Sequence, residues 1–228
     1  NQESVMKLGA TLEELLYAVA DSHFFYNDLE TCHQMHIDDI SQDDNGMDLS
    51  AYDFESDGFA SATNLSSAVP CMDTAGVPCQ NIRGTAEWMK KMAFRYRRIR
   101  EVYNEQRGNP EALFTDEQRA RLLVCTSQLE QITCQWHNLV RASLLLVQNR
   151  GPQNSVNILV SSSHLVISYA KLLLYQMAPF FQLENIYSCQ RSGSGKASCF
   201  ERIAARFGTK AIYIVVGDSD EDEHAAKE

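Results

Sequence analysis

The chain reads as an α/β protein with a large all-helical part, and three observations lead there. Helical periodicity runs through most of residues 1–150. Gly151-Pro152 then stops it, and short apolar runs begin to alternate with helical stretches. Strand, helix, strand, helix, strand is the pattern of a parallel sheet with crossover helices. The predicted division is 1–150, helical with an acidic, turn-rich loop region, and 151–228, a partial α/β core.

The first helix is announced at Thr11-Leu12-Glu13-Glu14, where Thr11 and Glu14 form a capping box and Leu12, Leu15, Leu16, Val19 and Ala20 supply a buried stripe. From Cys32 to Gln80 the chain is acidic and rich in turn residues, anchored by Tyr52, Phe54 and Phe59. Ser61 to Gln80, with Pro70 and Pro78, is expected to be a surface loop. A second helix should run from about Thr85 to Gln106 with Trp88, Met92, Ile99 and Tyr103 inward. A third should start at Thr115, where Gln118 completes a capping box, and continue unbroken to about Asn149. Leu122, Leu129 and Trp136 recur within it every seven residues, and at ~1.5 Å per residue it would be about 50 Å long. Beyond the break come a strand at Val156–Val160, a helix from His164 to about Gln176 and a strand near Asn185–Ser188. A helix at Phe200–Phe207, closed by Gly208, and a strand at Ala211–Val216 complete the series.

Composition removes some functions. At 228 residues the chain can bury a sizeable core, and 44% hydrophobic with 22% charged residues is ordinary for a globular protein. A net charge of −10 argues against holding nucleic-acid backbones by bulk charge. The run Arg95-Tyr96-Arg97-Arg98-Ile99-Arg100 spreads its arginines around a helix and reads as a solvated face. No apolar run reaches membrane-span length. Asn1 rather than Met opens the chain, as expected of a piece of a longer protein. Seven scattered cysteines without a C-x-x-C pair are expected to be free thiols, and Cys32, His33 and His36 find no second cluster to complete a zinc site. The acidic stretch from Ser41 has Tyr52 where a calcium loop needs Glu, and Gln190 and Ala197 rule out a phosphate-binding P-loop ending at Gly195-Lys196.

Ligands of parallel α/β sheets sit beyond the carboxyl ends of the strands. Those ends carry Ser161-Ser162-Ser163, then Ser192-Gly193-Ser194-Gly195-Lys196, then Gly217-Asp218. Singly they are ordinary: Ser162 could cap the next helix, and a lysine after Gly and Ser is usually solvated. In this order a hydroxyl and an ammonium suit phosphate oxygens, and a carboxylate suits a divalent cation.

Strand-Ser, then Lys, then strand-Gly-Asp-x-x-x-Asp (Asp218, Asp222) resembles the later motifs of the haloacid-dehalogenase phosphatases. More closely, the chain resembles the C-terminal domain of the Eyes absent family. The stretches that carry this are FFYNDLETCHQMHIDDISQDDNGMDLSAYDFESDGF, AEWMKKMAFRYRRIREVYN, NILVSSSHL, AKLLLY, ENIYS, GKASCFERIAARFG and IVVGDSDEDEHAAK. The resemblance implies a haloacid-dehalogenase (Rossmann-like) parallel sheet, incomplete here, with residues 1–150 as an inserted helical cap. It implies a magnesium-dependent protein tyrosine phosphatase acting through an aspartyl-phosphate, found in nucleus and cytoplasm. Phosphotyrosyl proteins would be its substrates, and it would also be a coactivator for homeodomain proteins of the Six group. Ser162 would bind the phosphate, Lys196 would neutralise it, Asp218 would coordinate magnesium, and Asp222 would stand one layer behind.

The chain departs from that pattern in one respect that matters. The family's nucleophile strand, Asp-Leu-Asp-Glu-Thr, has no counterpart. The only D-x-D patterns, Asp218-Ser219-Asp220 and Asp220-Glu221-Asp222, come last and lack the following Thr. The nucleophile is therefore expected outside this chain, and the chain alone is expected to be inactive. A non-catalytic binding module is the alternative. Without a central strand, the strands ending at Val160 and Val216 should not pair with each other. Residues 151–228 should then be the looser part and Thr85–Asn149 the better protected one.

Overall fold

A computed structural model describes residues 2–60, 83–150, 155–190 and 195–227. The Ser61–Gln80 loop expectation therefore lies outside the described residues, as do Cys71 and Cys79. The five described cysteines are free thiols. No helix among the described residues is long and apolar enough to cross a membrane.

Helix α1 spans Gln2–Phe24, beginning well before the expected Thr11 start. Thr11 is inside it, and its hydroxyl donates to the Lys7 carbonyl rather than capping a terminus. The apolar stripe is as expected: Leu8, Leu12, Leu15, Leu16, Val19, Ala20 and Phe24 are buried. A left-handed Phe25 turns the chain into the single turn α2, Tyr26–Leu29. Two short 3-10 turns follow at Ile37–Asp39 and Ser41–Asp43, the first closed by His36 and Asp39 in a reciprocal cap.

Helix α3, Ala86–Gln106, is capped by Thr85, whose hydroxyl accepts from the Trp88 amide, and it buries Trp88, Met92, Ile99 and Tyr103. The basic run on it is not a uniformly solvated face. Arg97, Arg98 and Arg100 do pair near the surface with Asp44, Glu101 and Asp38, but Arg95 is wholly buried. Its charge is matched by Asp28 and Asp57, which the sequence pattern of one helix could not show.

The expected single third helix is two. Helix α4 runs Asp116–Ile132 behind the Thr115–Gln118 capping box, and α5 runs Trp136–Arg150. Between them Cys134 and Gln135 take left-handed φ of 52° and 65°. The Gln135 amide donates back to Glu130 O at 2.8 Å and the Thr133 amide to Leu129 O at 2.9 Å, which closes the open carbonyls of α4. No glycine or proline marks this break, so the heptad pattern ran straight through it. Leu122 is buried, whereas Trp136 is 65% exposed and α5 buries none of its residues fully.

Strand β1, Leu159–Ser161, pairs in parallel with β2, Ile186–Ser188, in the register Leu159–Ile186, Val160–Tyr187, Ser161–Ser188. The crossover contains α6, Leu165–Leu174, buried along nearly its whole length. It packs on α1, on β2, on α2 and on α3. This helix therefore shares one core with α1 and α3, which packs α6 and the start of β2 into the same unit as the helical part. Helix α7, Lys196–Phe207, begins four residues before the expected start and ends at Gly208. Ala211–Val216 is not a strand. It makes no ladder with described residues, and Ile212 and Val216 are at least 90% exposed. Helix α8, Asp220–Lys227, packs against α7.

Candidate functional site

The turn after β1 is built by its own serines. The Ser161 hydroxyl accepts from the Ser163 amide at 3.1 Å, and the Ser161 carbonyl accepts from the Cys189 amide at 2.9 Å. Ser188 donates its hydroxyl to the Ser163 carbonyl at 2.7 Å, and Lys171 donates to the Ser163 hydroxyl at 2.7 Å. The cap of α6 is His164, whose Nδ1 accepts from the Val166 amide at 3.2 Å. Ser162 is therefore not the cap. It is exposed, and its hydroxyl has no hydrogen-bond partner among the described residues.

His164 was not singled out by the sequence. Burial pushes its imidazole down to about 4, and His33, with rings 5.1 Å apart, adds to that. The carbonyls of Cys32 and Leu29 pull in the opposite direction. An apolar flank around a single histidine gives no such signal, because His33 comes from a distant part of the chain.

Lys196 is not in a loop: it is the first residue of α7, behind Gly195 at φ 60°. Its ammonium lies 2.5 Å from Oδ1 of Asp222, a partly exposed pair near the surface. The other carboxylate oxygen of Asp222 accepts from the Ser219 hydroxyl at 2.7 Å. The hydrogen bond from Lys196 and then that from Ser219 hold the Asp222 carboxyl down to about 2, and the same bond raises the Lys196 ammonium. Gly217 makes this packing feasible, because a Cβ there would come within 2.6 Å of the Asp222 side chain.

Asp218 is exposed at a concavity of about 400 Å³ that Gly217, Ser219, Asp220 and Asp222 also line. Ser162 lines a different concavity of about 480 Å³ between α1 and α6. Of the four expected site residues, the structure thus joins Lys196 to Asp222 and places Asp218 on the turn beside them, with Ser162 apart. Among the described residues, no three His, Cys, Asp or Glu side chains converge as metal ligands. Asp222 is committed to Lys196. The donor chemistry that remains, the carboxylates of Asp218 and Asp220, fits a hard cation such as magnesium, which takes one or two carboxylates and completes its shell with water and phosphate oxygens.

Fold and site together define a helix-rich α/β protein with an exposed hydroxyl after β1, a carboxylate-paired lysine at the head of α7 and an exposed carboxylate on the turn before α8. Comparison with known proteins makes this specific. The chain is 45% identical to "Protein phosphatase EYA1" of Homo sapiens over 222 residues, 97% of this chain and 36% of that protein. It is 42% identical to "Protein phosphatase eya" of Drosophila melanogaster over 230 residues, 100% of this chain and 28% of that protein. Against "Protein phosphatase EYA3" of Gallus gallus it is 44% identical over 121 residues, 53% of this chain and 98% of that sequence. No family model matches. The chain belongs to the Eyes absent family, and it spans about a third of the length of the human and fly relatives.

Proposed function

We propose that the chain is the phosphate- and magnesium-handling part of a magnesium-dependent protein tyrosine phosphatase of the haloacid-dehalogenase type. In this reading residues 1–150 form the cap, residues 151–228 form part of the core, and an aspartate outside this chain forms the aspartyl-phosphate. The observation that carries the reading is the Lys196–Asp222 pair, fixed at the head of α7 next to the Asp218 turn. Ser162 offers to a phosphate oxygen an exposed hydroxyl that has no partner among the described residues. Lys196 brings a charge whose direction Asp222 sets. Asp218 would hold magnesium, which when bound offsets the repulsion between an anionic nucleophile and an anionic phosphate.

Family membership supports phosphoprotein substrates, since the relatives are named protein phosphatases. Phosphotyrosyl proteins as substrates, Six-type homeodomain proteins as partners, and nucleus and cytoplasm as locations belong to the same proposal. The test is kinetic. The chain alone releases no phosphate steadily from an aryl phosphate in magnesium, while the longer protein that contains it does. In that longer protein Asp218→Ala abolishes magnesium-dependent turnover, and Lys196→Ala costs ~10²–10³ in rate. Wild-type rates in the Asp218 variant would remove the metal from this turn.

A second reading, a non-catalytic binding module in transcriptional coactivation, is favoured by the apolar surface of α5, where Trp136, Leu139 and Leu146 are half exposed or more. Activity in the longer protein that depends on Asp218 decides against it as the whole function.

A further inference from the structure

We infer that the concavity between α1 and α6 receives the residue next to the phosphorylated one in a peptide substrate, and that Lys171 there selects a carboxylate. The inference rests on the phosphatase reading above and extends its site. At about 480 Å³ the concavity holds far more than one ion, since a water occupies about 30 Å³ in the liquid. Ser162 stands on its lining, so a phosphate at that hydroxyl leaves the neighbouring part of a peptide facing the rest of the cavity. One wall is apolar and aromatic, with Leu12 and Leu16 from α1 and the rings of Tyr17 and Tyr26 packed 5.5 Å apart. Such a wall suits a side-chain stem or ring.

The opposite side carries the selecting charge. Lys171, near the end of α6, reaches back along the helix to the turn and donates to the Ser163 hydroxyl. That hydroxyl is itself fixed, because the Ser163 amide and carbonyl are bonded to Ser161 and Ser188. An ammonium has three donors, and the one bond to Ser163 uses one of them. Among the described residues no carboxylate lies within ion-pair distance of Lys171, and the residue is only partly exposed. Glu13 lines the cavity on the α1 side but forms no ion pair with it. A half-sheltered ammonium, held in place and lacking a counter-charge, next to a candidate phosphate hydroxyl, is equipped to take an anionic group from a ligand. A carboxylate fits because it accepts two donors at once without displacing Ser163.

The carboxylate can come from an acidic side chain or from a chain terminus, and calorimetric titration of this chain separates the two. Three phosphotyrosyl peptides are compared: Asp after the phosphotyrosine with both ends blocked, Ala there with both ends blocked, and Ala there with a free terminal carboxylate. Asp or the free terminus should tighten binding by about tenfold over blocked Ala. Whichever does so names the source, and both support the subsite. Lys171→Met should remove that difference and leave the blocked Ala peptide unchanged, while Lys171→Arg should keep most of it. Equal binding of all three peptides to the wild-type chain overturns the inference, whatever the variants do. Equal weakening of all three in Lys171→Met also overturns it, because the lysine would then only be supporting the serine turn. No binding by any phosphotyrosyl peptide would take the phosphate site itself down with the subsite, so the two failures are distinguishable.

Discussion

Replacing Arg95 by Met should be among the most damaging single changes in the chain. The guanidinium is wholly buried and donates through Nε to Asp28 at 2.8 Å, through Nη1 to Asp57 at 2.7 Å, and through Nη2 to the Phe54 carbonyl at 2.9 Å. It also lies 4.2 Å from the centre of the Phe59 ring. Methionine fills part of the stem volume but leaves Asp57, 5% exposed, without its counter-charge. Breaking a buried ion pair on one side costs about 3–5 kcal/mol, and loss of the cation–ring contact adds roughly 1 kcal/mol. Asp28 is more exposed and adds little. A loss of about 4–6 kcal/mol is a large share of the ~5–15 kcal/mol that holds a domain together. Urea unfolding at neutral pH measures it through the midpoint at unchanged slope. Burial pushes the Asp57 carboxyl up, but the bonds from Arg95, the Phe59 amide and Tyr52 outweigh it and hold the group below its ordinary value. Its contribution is therefore present above about pH 4 and lost as pH falls through the lowered value. In the variant only burial and the weaker bonds remain, so the gap between wild type and variant should narrow in acid. Adding Asp57→Asn to Arg95→Met should recover roughly 1–2 kcal/mol by removing the stranded charge. A loss below about 1 kcal/mol, or no recovery in the double variant, would refute the reasoning.

Three further outcomes follow from particular residues. His164 is held to about 4 by burial first and His33 second, so the unfolded chain takes up its proton before the folded one as pH falls. Stability should drop by about 2 kcal/mol between about pH 6.5 and pH 5, with His36 adding in the same direction because burial lowers it too; a flat profile in urea unfolding would contradict this. The Asp222 carboxyl should titrate near 2 by carbon-detected NMR in the wild type, and Lys196→Ala should move it up toward 3.8. Gln135→Gly should stabilise the chain by up to ~1 kcal/mol, because the left-handed φ of 65° is strained for a side chain but free for glycine; thermal unfolding that shows a loss instead would mean the Gln135 side chain has a role of its own.

What the sequence revealed was what local chemistry controls. The Thr115–Gln118 cap, the inward face of α3 and the stop at Gly208 are each set by residues within a few positions, and each is where the sequence placed it. The parallel β1–β2 pair and its crossover helix followed from the change of apolar period after residue 151. The failures share a cause as well. The α4–α5 break depends on two non-glycine left-handed residues and on His137, which reaches Glu130 and the Tyr175 carbonyl, so its stabilising partner lies 38 positions away. Arg95 looked solvated because Asp28 and Asp57 are remote in sequence. In the site, Lys196 and Asp222 were both legible as residue types, but their direct bond was not, because 26 positions separate them.

That bond determines how the Asp218 turn is held. In a fully paired parallel sheet, a carboxylate at a strand end is positioned by the ladder beneath it. Here Ala211–Val216 makes no ladder with described residues, and its apolar side chains face water, so the ladder cannot position Asp218. Its placement comes from downstream instead: Asp222 clamps Lys196, Ser219 ties to Asp222, and Ala225 is buried where α8 meets α7. A charge clamp differs physically from a ladder, because a near-surface pair weakens as salt is added and backbone pairing does not. The Asp218 turn should therefore be ordered or loosened by ionic strength and by acid below the Asp222 titration. A strand that came to pair with Ala211–Val216 would remove that sensitivity while also burying Ile212, Ile214 and Val216. Coupling the order of the Asp218 carboxylate to strand pairing would then make assembly of the sheet and ordering of this turn one event.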